Sequence, residues 1–142
     1  MMDKRNSEGY ADPTAAEALA NVAREERSKA KQYRPLVYIC SPFAGAIEYN
    51  LSRARGYCRL AVSKGCIPLA PHLLFPQFMD DDDQEQRKLG LFFALVLLGK
   101  CDEIWVFGSR ISEGMARELE AAERRSILIR HFTDKGEEET GA

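Results

Sequence analysis

Short apolar segments alternate with longer helical patterns through the middle of the chain, and this alternation constrains the fold more than any other feature. Four such segments occur, at residues 35–40, 66–70, 103–107 and 126–130. The first is almost continuously apolar, as is typical of a strand buried on both faces of a parallel sheet. Because strands joined by helices form right-handed parallel crossovers, the sequence predicts an α/β domain, a three-layer α/β/α sandwich around a short parallel sheet.

Three helices are predicted between and after these strands, at about residues 50–64, 84–100 and 113–125. Ser112 precedes the last of them and is a good N-cap. Pro68 lies inside the second strand and has no amide proton to donate within a sheet, so we predict that this strand lies at an edge. The arrangement is that of a flavodoxin-like or Rossmann-like domain.

The flanks of this domain differ from it in composition. Residues 1–34 are predicted to be an N-terminal extension with one alanine-rich helix, which begins at a capping box at 14–17 and runs to about residue 31. Residues 35–132 form the α/β domain. Residues 133–142 contain three consecutive glutamates and are predicted to be a disordered acidic tail.

The overall composition excludes several functions. A net charge of −2 provides no basic field for nucleic acid or for an anionic membrane. The longest apolar run, residues 91–98, is too short to span a bilayer, and no export signal follows Met1, so we expect a cytoplasmic protein. The four cysteines form no C-x-x-C pair, which favours free thiols and predicts neither a zinc site nor another cofactor.

Ligands of open α/β sheets bind beyond the carboxyl ends of the strands. Three predicted loops lie there, at residues 41–45, 72–83 and 108–114. In the first two, Phe43 either stacks on a base or covers the core, and His72 either contacts a base or is an ordinary surface histidine. Short loops of this kind occur in every domain of this class, so each loop alone is a weak signal.

Glu118 is the most informative single residue. On a helical wheel it falls in the inward arc that Met115, Leu119 and Ala122 define. A carboxylate in an apolar stripe is costly unless it is paired or has a function. The alternative is that Glu118 lies at the margin of the stripe and reaches water or an arginine.

Two segments make the sequence similar to the nucleoside 2-deoxyribosyltransferase-like superfamily. They are residues 37–45 and residues 101–118, and the second ends in an S-x-G-x-x-x-E element formed by Ser112, Gly114 and Glu118. The chain most resembles the small uncharacterised bacterial and phage members of that superfamily, which also includes 2′-deoxynucleoside 5′-phosphate N-hydrolases. The resemblance covers about residues 35–132.

This resemblance implies N-glycosidic chemistry. It implies that Glu118 attacks the anomeric carbon of a deoxyribose and that Tyr38, on the first strand, lies beside it. It also implies that Ser112 and Gly114 hold the sugar or its 5′-phosphate. The turn of Ser41, Phe43 and Gly45 is implied to lie against the same groups. Independently of the resemblance, His72 is assigned as a further substrate contact because it follows the second strand.

The sequence differs from the family at the residue that would protonate the leaving base. The family carries an aspartate in the helix before the third strand, and the matching position falls near Ala94. One of the aspartates at 80–83, with Asp83 as our candidate, would then supply the proton. The same residues are equally expected to be helix caps. Arg87, early in that helix, either faces the site or pairs with the acidic loop, and we expect the pairing.

Two classes of function follow. The first is an enzyme, a hydrolase or deoxyribosyltransferase that acts on a small nucleoside or nucleotide. The second is a non-catalytic module, accessory or sensory, that binds a nucleotide-like ligand; a third, weaker hypothesis is an assembly role for the flanking segments. The resemblance also implies a homo-oligomer.

Overall fold

The structure is a computed structural model, and it describes residues 13–30 and 33–140. The chain divides into two units, with the boundary between Tyr33 and Arg34. In the first unit, the predicted helix of the N-terminal extension is present as α1, Pro13–Ala30. Its predicted last residue, at position 31, lies outside the described residues.

The second unit contains the predicted alternation of strands and helices. Its elements are β1 Leu36–Cys40, α2 Ile47–Ser63, β2 Ile67–Leu69, α3 Pro71–Leu74, a 3₁₀ turn Phe75–Gln77, α4 Gln84–Leu98, β3 Glu103–Phe107, α5 Glu113–Arg124 and β4 Leu128–Phe132. Helix α2 begins at Ile47, three residues earlier than predicted, and two further details differ from the prediction. The segment after β2, expected to be a loop, begins with α3 and the 3₁₀ turn, and β4 begins two residues later than expected.

The four strands form one parallel sheet in the order β2-β1-β3-β4. The prediction that the strand with Pro68 lies at an edge is confirmed, since β2 pairs only with β1. The chain crosses from β1 outward to β2 and then returns to the far side of β1 to form β3. The strand order therefore reverses between β1 and β3, and a crevice at their carboxyl ends is the expected ligand site.

Helices cover both faces of the sheet, which confirms the predicted three-layer sandwich. On one face, Val37 and Ile39 of β1 pack with Trp105 of β3 against Tyr57 and Ala61 of α2. On the other, the alternate strand residues pack against α4 and α5; they include Tyr38, Cys40, Ile104 and Val106, with Leu98, Met115 and Ala122 from the helices. Burial of both strand faces explains why the strand sequences are apolar throughout rather than alternating.

The acidic tail is not disordered over residues 133–140, so that prediction is wrong for this segment. Glu138 forms an antiparallel bridge with Phe132, and the Glu139 amide donates to the His131 carbonyl at 2.9 Å. The Arg130 Nε donates to a Glu138 carboxylate oxygen at 2.8 Å. The segment thereby covers the outer edge of β4, which would otherwise present unpaired backbone groups. Residues 141–142 lie outside the described residues.

Over the described part of the chain, none of the helices combines the length and the apolar character needed to cross a membrane.

Candidate functional site

A cavity of about 360 Å³ opens at the carboxyl ends of β1 and β3. This volume lies within the range of small-molecule sites. Its walls come from the end of β1 and the turn after it, the segment after β2, one face of α4, and the first turns of α5. The lining residues are Tyr38, Ser41, Phe43, Ala44, Pro71, His72, Phe75, Pro76, Met79, Asp80, Asp81, Gln86, Arg87, Gly90, Leu91, Ala94, Ser112, Glu113, Gly114, Met115 and Glu118.

Glu118 lies in the wall of this cavity. Helix α5 begins at the cavity because Ser112 caps it, with its Oγ accepting from the Met115 amide at 3.2 Å. Met115 is buried, and Glu118, three residues later on the same side of the helix, is half-buried. The alternative of an arginine partner is not observed, since no described arginine forms an ion pair with this carboxylate.

Burial raises the pKa of Glu118 from its usual 4.5 to about 7, although hydrogen bonds from Cys40 and Tyr38 to the carboxylate favour its charged form. Desolvation of the charge therefore outweighs the two hydrogen bonds. A carboxyl group with this pKa exists in both protonation states near neutral pH. Groups held in this way are more frequent at functional sites than elsewhere.

Tyr38 and Cys40 supply the hydrogen bonds because they lie two residues apart on β1 and therefore point to the same face of the sheet. Burial, and then the negative charge of Glu118, raises the pKa of Tyr38 well above its usual value. The phenol therefore remains protonated and donates to the carboxylate. Burial likewise raises the pKa of the Cys40 thiol, so Cys40 is a weak donor here and not a thiolate.

Ser41 and His72 form a second polar pair in the cavity wall. The Ser41 Oγ lies 3.0 Å from the His72 Nε2, which joins the turn after β1 to α3. Burial lowers the pKa of His72 from 6.5 to about 4, so the imidazole is neutral at physiological pH. The edge of the Phe43 ring faces it, with 6.4 Å between ring centroids. His72 is thus a neutral hydrogen-bonding group that can contact a ligand.

The turn after β1 is held by a residue that the sequence analysis missed. The Asn50 side-chain amide, from the first turn of α2, donates to the Phe43 carbonyl at 3.1 Å and to the Ala44 carbonyl at 3.0 Å. Gly45 does not line the cavity, contrary to our assignment of it as a substrate contact. It has a φ of +91°, a left-handed conformation that glycine adopts without strain, so its role is to shape the turn.

Asp83 also lies outside the cavity wall. It is the N-cap of α4, and its Oδ1 accepts from the Glu85 amide at 3.0 Å. For Asp83 the capping alternative is therefore the one observed, and our assignment of it as the acid is not supported. Asp80 and Asp81 do line the cavity, and both are exposed to solvent.

Arg87 was expected to pair with the acidic loop, and this expectation is wrong. Its side chain lines the cavity and forms no ion pair or hydrogen bond with any residue that the structure describes. Along α4 it shares one face with Gly90, Leu91 and Ala94, as their spacing of three, four and seven residues requires.

The apolar part of the cavity wall was largely missed. Phe75, Met79 and Leu91 contribute to it, together with Pro71 and Pro76. The spacing along α4 could have identified Leu91, but nothing in the sequence indicates that Phe75 and Met79 fold over the cavity. Among the described residues, no group of three or more histidine, cysteine, aspartate or glutamate side chains is placed to hold a metal ion.

A family model described as "Domain of unknown function (DUF7768)" matches residues 35–132. The chain belongs to the DUF7768 family. The match spans the whole parallel sheet and every element that lines the cavity, and it leaves out α1 and the tail that covers β4. No curated protein matches the chain.

The DUF7768 fold also occurs in a solved structure, that of a 2-deoxyribosyltransferase from the psychrotolerant bacterium Bacillus psychrosaccharolyticus. The two chains are 20% identical, the similarity covers 69% of this chain and 72% of the other, and the TM-score is 0.55. This DUF7768 protein therefore has a deoxyribosyltransferase-like fold.

Proposed function

We propose that this protein cleaves the N-glycosidic bond of a small nucleoside or nucleotide, as a hydrolase or a deoxyribosyltransferase, with Glu118 as the nucleophile. The observation that carries the proposal is the environment of this carboxylate, namely its burial and its polar contacts. It is withdrawn from water in a ligand-sized cavity, is held by the Tyr38 hydroxyl, and has no cationic partner among the described residues. The deoxyribosyltransferase-like fold supports the same conclusion.

Cleavage of such a bond passes through a transition state in which positive charge develops on the sugar. An adjacent carboxylate stabilises that charge and then bonds to the anomeric carbon, forming a glycosyl-enzyme. A desolvated carboxylate with a pKa of about 7 is more basic than one in water and is still substantially ionised at neutral pH. The Tyr38 hydroxyl, which stays protonated, would orient the carboxylate for attack.

The remaining walls fit the two parts of a nucleoside. Ser41, His72, Ser112 and Gly114 would hold the sugar or its 5′-phosphate, since they supply hydroxyls, a neutral imidazole and backbone amides at a helix N-terminus. Phe43 and Phe75 would pack against the base. The cavity lining thus combines polar groups for the sugar with apolar groups for the base.

A second candidate function is non-catalytic binding of a nucleotide-like ligand. The observation that favours it is Ala94, which is buried in the cavity wall where the superfamily resemblance implies an aspartate. Such a module would bind a nucleoside or nucleotide in the same cavity without releasing the base.

The two functions are separated by a screen of deoxynucleosides and their 5′-monophosphates for base release, read by chromatography. We expect release by the native protein and a loss of at least ~10³-fold in Glu118→Gln, the scale seen when a catalytic group is removed. The matched control is Glu120→Gln, on the same helix but exposed and paired with Arg124 at 3.4 Å, which should retain full activity.

Full activity in Glu118→Gln would exclude Glu118 as the nucleophile. If the native protein releases no base but binds one of these compounds in calorimetry, the binding module is the correct function.

A further inference from the structure

The face of α4 that lines the cavity carries a cation and lacks an acid. The α4 residues that line the cavity are Gln86, Arg87, Gly90, Leu91 and Ala94. When an N-glycosidic bond breaks, the bonding electron pair goes to the nitrogen of the base. The site must then either protonate that base or stabilise it as an anion.

Protonation requires an acid that keeps its proton at neutral pH, and carboxyl groups do so when they are buried. Four carboxyl groups line the cavity. Asp80, Asp81 and Glu113 are exposed, and Glu118 is the one of the four that is half-buried. Since Glu118 is the nucleophile under the proposed function, none of the described lining residues is a buried acid that is free to protonate the base.

The other titratable groups of the cavity do not replace that acid. Burial lowers the pKa of His72 to about 4, so it carries no dissociable imidazolium proton at neutral pH. The Tyr38 hydroxyl has its pKa raised well above the usual value and already donates to Glu118.

Arg87 is suited to stabilise the departing base as an anion. A guanidinium is permanently charged and presents several donors in one plane. Arg87 has no ion pair with any part of the chain that the structure describes, so its donors remain free for a ligand. It lies seven residues before Ala94 on the same face of α4, roughly 10 Å along the helix axis, and both residues line the cavity.

We infer that the departing base leaves as an anion that the Arg87 guanidinium stabilises, and that the substrates are therefore nucleosides or nucleotides of oxo bases such as uracil, thymine and hypoxanthine. This inference rests on the proposed function. The anions of these bases spread their charge onto exocyclic carbonyl oxygens, which a guanidinium can contact. Adenine has no such oxygen, and cytosine is a weaker acid at its glycosidic nitrogen.

The reaction balances without an added acid. A Glu118 carboxylate oxygen bonds to C1′ as the C1′–N bond breaks, and the electron pair remains on the base. Its negative charge spreads to the exocyclic carbonyl oxygens, which Arg87 would contact. Water then adds to C1′ and the bond to Glu118 breaks. One proton of that water ends on the base, so the products are the free sugar and the neutral base.

The first test is a leaving-group series with the native protein: 5-fluorodeoxyuridine, deoxyuridine and thymidine, whose bases are progressively weaker acids, then deoxyinosine against deoxyadenosine. We expect the rate of base release to fall in that order within the first three, and deoxyinosine to exceed deoxyadenosine by at least about tenfold. Equal rates across the series, or faster release of adenine, would overturn the inference while leaving the proposed function intact.

The second test compares Arg87→Gln, Arg87→Lys and the control Lys88→Gln, which removes a neighbouring exposed charge that does not line the cavity. Base release from deoxyuridine should fall about 10- to 100-fold in Arg87→Gln, the loss expected for one hydrogen bond to a charged group. The loss should be larger for thymidine and partly restored in Arg87→Lys, and Lys88→Gln should be unaffected.

Each substrate is measured as the nucleoside and as the 5′-monophosphate. A loss confined to monophosphates would show that Arg87 binds the phosphate, and unchanged release from both would show that Arg87 has no role; either result overturns the inference. Absence of base release from every substrate, by contrast, would refute the proposed function itself.

Discussion

Replacement of Glu118 by glutamine should stabilise the protein, and the gain should depend on pH. The folded state raises the pKa of this carboxyl from 4.5 to about 7 because burial disfavours its charge. Below pH 4.5 the group is protonated in both the folded and the unfolded state, so its ionisation does not change the free energy of unfolding. Above pH 7 it is ionised in both, and the folded state bears the full desolvation penalty. The free energy of unfolding attributable to Glu118 therefore falls as the pH rises from about 4.5 to about 7.

The size of this effect follows from the same two values. The difference between 4.5 and about 7 corresponds to about 3 kcal/mol. Glutamine has nearly the same shape and no charge, so Glu118→Gln should gain about 3 kcal/mol at pH 8 and less than about 1 kcal/mol at pH 5. For a chain of this size, the gain at pH 8 corresponds to a rise in Tm of roughly 10 °C.

The assay is thermal or urea unfolding of the native protein and Glu118→Gln at pH 5 and pH 8. Comparison of the two proteins at each pH cancels every other titrating group, and Glu120→Gln, whose side chain is exposed, should differ from the native protein by less than about 0.5 kcal/mol at both. An equal stability change at the two pH values, or a destabilisation at pH 8, would show that Glu118 is not a desolvated carboxyl.

Two further predictions follow from the shifted pKa values. Because the nucleophile must be ionised, kcat/KM for base release should rise about tenfold per pH unit below pH 7 and level off above it; a profile that falls with increasing pH across this range would contradict it. Burial lowers the pKa of His72 from 6.5 to about 4 in the folded state, so the imidazole is neutral there at pH 5. In the unfolded chain the imidazole binds a proton below pH 6.5. His72 should therefore lower the free energy of unfolding by about 2 kcal/mol at pH 5 relative to pH 8. Melting curves at the two pH values should show that His72→Gln removes this acid-induced loss, and an unchanged loss would contradict the burial of the imidazole.

Much of the fold could be predicted because it is set by local patterns. The apolar strands, the N-cap at Ser112 and the edge position of Pro68 each have a local cause, and each is present in the structure. The tail was predicted to be disordered because it is acidic, and that prediction took no account of a positively charged partner for its glutamates. In the structure, Arg130 on β4 pairs with Glu138, and Glu138 also forms a backbone bridge with Phe132. Nothing in the sequence indicates that these residues meet.

Residues of the candidate site could be predicted only where their position along a helix or after a strand identifies them. Glu118 could be identified because an acidic residue stood in an apolar stripe, and Ser41 because it follows a strand. The aspartates could not be assigned, since a carboxylate before a helix fits a cap and a site equally well; the structure makes Asp83 the cap and brings Asp80 and Asp81 to the cavity. Arg87 was misassigned because pairing with a nearby acidic loop is the simplest expectation for an exposed arginine.

The most direct test of Glu118 as the nucleophile is acid quenching of the protein during turnover of a deoxynucleoside, followed by peptide mass spectrometry. The peptide that contains Glu118 should be heavier by one deoxyribosyl group, and the modification should be absent from Glu118→Gln and present in Glu120→Gln. If the native protein releases base while this peptide stays unmodified, and Glu118→Gln releases base at the native rate, then Glu118 is not the nucleophile.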